Sequence, residues 1–284
     1  ATALYRQRAL PLLHAAGAVT VVLYLLMLPV ASVSFDLSEF RRTFDGFQAV
    51  TANAPMGRIG AVLGLLFIAA GFWAARKFVA TAATRSASWA AWGVAVPLVV
   101  LLSTWVDFGN LDRDFFYAAI AAVLVVVFSA GGEWIARAEE PSLEGGPAVS
   151  FALGGAGIAA PIMLHMAFGS GLTTVLLGAA AVVPALATRW RSYPALGWLA
   201  AGAVVAVLGR VGFDPTIVGA QFLSTTPVFN WLLLGYGVPA LAFGFAAWQL
   251  ARTTGGRPRL VMEAGAAIFA LLTVAMLVRH AMHG

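Results

Sequence analysis

Residues 115–136 read Phe115-Phe-Tyr-Ala-Ala-Ile-Ala-Ala-Val-Leu-Val-Val-Val-Phe-Ser-Ala-Gly-Gly-Glu-Trp-Ile-Ala136. Glu133 is the one charged residue in this run, and it stands near the end. As a helix the stretch is about 33 Å long, against a bilayer hydrocarbon core of about 30 Å. It shows none of the apolar/polar alternation of a barrel strand. A lone strand in lipid would leave its backbone unpaired, so the run is a membrane-spanning helix.

The rest of the chain has the same character. Of 284 residues, 61% are apolar and 10% are charged, against a charged fraction of about 25% in soluble domains. Mean hydropathy is +0.89. So few charges cannot cover a soluble fold of this length, which excludes a soluble enzyme, a disordered tail and a disulfide scaffold. With no cysteine, thiolate catalysis, iron–sulfur clusters and cysteine zinc sites are excluded too. The net charge of +5 is no nucleic-acid signal. The cations stand at the ends of apolar runs, where interfacial placement and snorkelling put them. A single lysine, Lys77, among the 17 Lys and Arg residues reads as codon usage of a GC-rich bacterial genome.

Nine apolar segments are long enough to cross a bilayer: 10–33, 59–76, 88–107, 115–136, 148–168, 171–188, 195–210, 228–250 and 260–279. The first follows Arg6 and Arg8 but is too long for a signal-peptide core, so it is read as a retained helix. The chain opens at Ala1 without Met, which points to trimming or to a piece of something longer. The expected fold is an all-α polytopic membrane protein in one transmembrane domain, 1–284. Eleven Lys and Arg fall on the side of the N-terminus and six on the other. The positive-inside rule then places the N-terminus in the cytoplasm of a bacterial cell and the C-terminus outside its plasma membrane.

Trp73, Trp134, Trp190 and Trp248 each close an even-numbered segment beside an arginine, at spacings of 61, 56 and 58 residues. The spacing suggests repeated helical hairpins at 10–76, 88–137, 148–191 and 195–252, followed by a lone helix at 260–279. An aromatic belt at the interface accounts for each tryptophan singly.

Thr226-Pro-Val-Phe-Asn-Trp-Leu-Leu-Leu-Gly-Tyr-Gly-Val-Pro-Ala240 and the ending Val278-Arg-His-Ala-Met-His-Gly284 resemble the family called domain of unknown function 2339. Its members are large bacterial multi-pass membrane proteins with repetitive Ala/Gly/Leu-rich helices. The likeness covers most of the chain and is strongest from Trp198 onward. It implies a segment or short relative of such a protein, and it brings no reaction or catalytic residue with it.

Polar groups are few. The first outer connection carries Phe40, Phe44 and Phe47 at helical spacing, as in a segment lying along the interface. Its Asp36 and Glu39 are the candidate catalytic acids of a lipid or glycan transferase. A second group gathers at the outer face: Asp107, Asp112, Arg113 and Asp114 between the third and fourth segments, Arg210 and Asp214 after the seventh. It reads either as helix-end chemistry, with an aspartate at a positive helix N-terminus, or as a polar vestibule. His14, His165 and Glu263 are the ionisable groups within spans, with Asn230 and Gln249 as neutral polar ones. No metal site and no cofactor are predicted. The residues nearest to a Cu(I) ligand set are His165 and Met166 with His280 and His283.

Small residues promise close helix contact, as at Gly60 and Gly64 and at Gly154, Gly155 and Gly157. Pro97, Pro161, Pro184 and Pro239 fall inside spans. Gly235, Gly237 and Pro239 together mark a broken helix, which reads as a packing feature or as the lining of a substrate path. A structural or assembly component of a membrane complex is the leading functional reading. A transporter or flippase-like carrier follows, and then the envelope transferase. The expected partners are the lipid bilayer and other membrane subunits, with no nucleic acid.

Overall fold

The computed structural model describes residues 2–26, 54–108, 113–213, 226 and 229–283. These residues form helices and turns, with no strand among them. In chain order the helices are α1 (Thr2–Leu26), α2 (Ala54–Phe78), α3 (Ala83–Phe108), α4 (Phe115–Ala136), α5 (Pro147–Ala180), α6 (Val182–Ala187) and α7 (Pro194–Phe213). A π-helical turn (Leu233–Gly237), α8 (Val238–Arg252) and α9 (Gly256–His283) follow. The chain is an all-α polytopic membrane protein. Seven stretches of these helices are long and apolar enough to cross a membrane. The expected spans 10–33 and 171–188 correspond to two shorter apolar helices, Pro11–Leu25 and Leu172–Ala187. Residues 27–33 of the expected span 10–33 lie outside the described ones.

One boundary shows how residue type sets the fold. The sequence separates the segments 148–168 and 171–188, and the break within α5 falls at Gly169. Gly169 has φ 75° and ψ −177°, a backbone region that essentially only glycine enters, because a Cβ would clash there. The proline residues act differently. α3 runs through Pro97 and α5 through Pro161 as helix.

The chain divides into two compact units, 1–160 and 161–284. In the first, α1 and α2 both pack on α3. α2 and α3 meet backbone to backbone. A Cβ on Gly71 would lie 2.8 Å from the Gly93 Cα and 2.8 Å from the Trp89 carbonyl oxygen. The Ser86 hydroxyl donates across the same contact to the Ala75 carbonyl at 2.7 Å. Gly60 meets Tyr24 and Val100, Gly64 meets Pro97, and Gly155 meets Val94 and Phe128. Gly154 faces open space. Lipid tails are as apolar as leucine, so close approach and dispersion, rather than water exclusion, hold such helices together.

In the second unit α6, α7, α8 and α9 surround a core of Val207, Tyr236, Phe243, Leu250, Met262 and Phe269. Phe243 and Phe269 meet edge to face with centroids 5.5 Å apart, a favoured aromatic geometry.

Candidate functional site

The outer-face group begins with α4. Asp114 is its N-cap, with extended backbone (φ −143°, ψ 110°). Its Oδ1 accepts the Phe116 N–H at 2.8 Å and the Tyr117 N–H at 3.3 Å. Those are two of the donors that a helix start leaves without an intrahelical partner. This carboxylate is therefore engaged by its own helix. Arg113 beside it is exposed. Arg210 is half-buried in the last turn of α7 and near enough to His165 of α5 for its charge to act on the imidazole. Asp36, Glu39, Asp112 and Asp214 lie outside the described residues, and so does the side chain of Asp107.

The segment expected to be a broken helix, around Gly235, Gly237 and Pro239, stays helical and passes through a π-helical turn. Proline has no N–H to offer the Gly235 carbonyl one turn earlier. The chain takes up this defect in the π-helical turn Leu233–Gly237, with Pro239 in the first turn of α8. Asn230 starts the segment. Its Oδ1 accepts the Leu232 and Leu233 N–H groups at 3.0 and 3.2 Å, and its amide nitrogen donates to the Thr226 carbonyl at 3.1 Å. Pro239 is fully buried. It sits so close to α5 that a Cβ on Gly178 would lie 2.8 Å from its ring. Tyr236 is buried with its ring 6.5 Å from that of Phe269. A hollow of about 340 Å³ opens at the start of the segment, lined by Phe229, Asn230, Trp231, Leu233 and Leu234. Apart from Asn230 that lining is apolar, which suits an acyl chain or an apolar side chain and not a hydrated solute.

The other sequence candidates resolve one by one. Met166 is wholly buried, and Met282 is 70% exposed. His165 and His280 are half-buried, and the side chain of His283 lies outside the described residues. Among the described residues no three His, Asp or Glu side chains gather closely enough to hold a metal ion. His14 accepts a hydrogen bond from the Trp92 indole at 2.6 Å, tying α1 to α3. Glu263 pairs with Arg259 one turn earlier at 2.7 Å.

Sequence reasoning passed over Glu139. It is 7% exposed in the connection between α4 and α5, and its carboxylate accepts the Gly145 and Gly146 N–H groups at 2.8 and 2.7 Å. The legible signal was Gly145-Gly146-Pro147, a helix start with N–H groups to satisfy.

The Trp/Arg ends meet within each unit. Arg76, at the Trp73 end of α2, lies over the Trp134 ring of α4 at 4.6 Å. Thr188 and Thr253 hydroxyls are 2.7 Å apart, joining the end of α6 near Trp190 to the end of α8 near Trp248.

Comparison with curated proteins and with solved structures returns no match. A family model described as predicted membrane protein (DUF2339) matches residues 1–284. With its apolar helices, its small-residue helix contacts and this match over its whole length, the chain belongs to the DUF2339 family of predicted membrane proteins.

Proposed function

We propose that this protein is a structural or assembly component of a larger complex in a bacterial plasma membrane, with its N-terminus cytoplasmic and its C-terminus outside. The observation that carries the reading is α9. The span Gly256–Met282 is strongly apolar, and 17% of its most apolar stretch is buried against the rest of the protein. Met262, Gly265, Phe269 and Thr273 form its inner face. Leu260, Ala264, Ala267, Leu271, Val274 and Val278 are exposed along the other. They recur every three or four residues, the spacing of a seam that receives another helix. Lipid also covers such a face, so cross-linking in native membranes decides. Photo-cross-linking residues at Leu271, Val274 and Val278 should give discrete protein adducts, and lipid adducts alone at all three positions would contradict the reading.

Four threonine hydroxyls inside the helices support the same reading against a carrier. Thr20, Thr104, Thr173 and Thr273 each donate to a carbonyl one turn earlier on their own helix. A hydroxyl spent in this way has no proton left to donate to a solute. The reading calls for no cofactor. Its orientation is tested by cysteines at Thr254 and in the α3–α4 connection at Asn110. Membrane-impermeant reagent added outside should label only Asn110→Cys, and labelling of both would overturn the orientation.

A further inference from the structure

A polar hollow of about 300 Å³ lies where α6 and α8 end, lined by Arg189, Trp248, Gln249, Arg252 and Thr253. We propose that it binds the phosphodiester headgroup of an anionic membrane lipid. Charge is the first argument. Neither Arg189 nor Arg252 forms an ion pair with a carboxylate among the described residues, although both border the same hollow. Two arginines so placed repel one another until an anion sits between them, and arginine matches phosphate oxygens with a planar, forked donor set.

Construction is the second argument. The Arg252 guanidinium stacks on the Trp248 ring, 3.7 Å from its centroid, which fixes the cation at the rim. The Thr188–Thr253 hydroxyl contact at 2.7 Å clamps the two helix ends. Gln249 is 3% exposed and lines the hollow, and its side-chain amide bonds to no described residue. A nearly buried amide opening onto a cavity beside two cations has a donor to offer a phosphate oxygen. The third argument is depth. Trp190 and Trp248 are 70% and 47% exposed on either side, the aromatic signature of the headgroup level. Basic pockets between transmembrane helices at that level take acidic lipid headgroups.

Native mass spectrometry of the purified full chain in detergent tests this, with phosphatidylglycerol, phosphatidylcholine and inorganic phosphate as probes. The wild type should retain one phosphatidylglycerol and release phosphatidylcholine. The Arg189→Gln/Arg252→Gln variant should bind phosphatidylglycerol at least about tenfold more weakly. Gln249→Glu, which puts a negative charge into the hollow, should weaken it as well. The control Arg257→Gln/Arg259→Gln, equal in charge change, should bind as the wild type does. The arginine variants are compared at unchanged thermal midpoint, since all four arginines are exposed; Gln249→Glu buries a charge and is compared by its ratio of phosphatidylglycerol to phosphatidylcholine retention. Equal retention by the Arg189/Arg252 variant, or equal loss in the control, would overturn the site. Displacement of the lipid by inorganic phosphate at comparable concentration would overturn the lipid as the ligand.

Discussion

Single residues here do their work at helix ends. Asp114 caps α4 through two N–H groups. Asp114→Ala should lower stability by about 1 kcal/mol and Asp114→Asn by much less, because asparagine caps nearly as well. Thermal unfolding in detergent reads the difference, and equal losses would show that charge, not capping, matters at this position. Gly169 holds a conformation closed to other residues. Gly169→Ala should cost about 1–3 kcal/mol, and an unchanged midpoint would mean that α5 has no break there. That an aspartate would sit at the start of α4 was legible from the acids before the apolar run, but not that Asp114 is the one that caps it. Glu139 was not. Its burial depends on the connection folding back so that Gly145 and Gly146 reach its carboxylate, and no periodicity records such a turn.

At the level of elements, the apolar runs were legible because lipid imposes one solution on the backbone. Which helix touches which was not. α1 packs on α3, and the contact rests on Gly17 under the Trp92 ring and on the His14–Trp92 hydrogen bond. Those residues are far apart in sequence. Glycine spacing shows that close contact is possible without naming the partner. Gly71 and Gly154 look alike in the sequence, yet one lies against backbone and the other faces open space. Gly71→Ala should therefore cost about 1–3 kcal/mol by overpacking. Gly154→Ala should be neutral or stabilise by up to about 1 kcal/mol through helix propensity. Unfolding midpoints of the two variants check the order, and a reversed order would refute the α2–α3 contact. Gly235, Gly237 and Pro239 marked an irregularity in this helix, but its form, a π-helical turn in a continuous helix with Pro239 packed against Gly178, required the structure.

For the whole molecule the central claim is that, among the described residues, each unit packs as a membrane-embedded helix bundle with a dry interior. Val96 and Ala159 are buried in the first unit, Val204 and Ala246 in the second, and all four fall within membrane-spanning stretches. Single cysteines at these positions, in permeabilised native membranes open on both faces, should resist a small charged methanethiosulfonate reagent at concentrations that fully label Thr254→Cys. Labelling of any of the four at a rate near that of Thr254→Cys would contradict the account and would restore the carrier as the better reading.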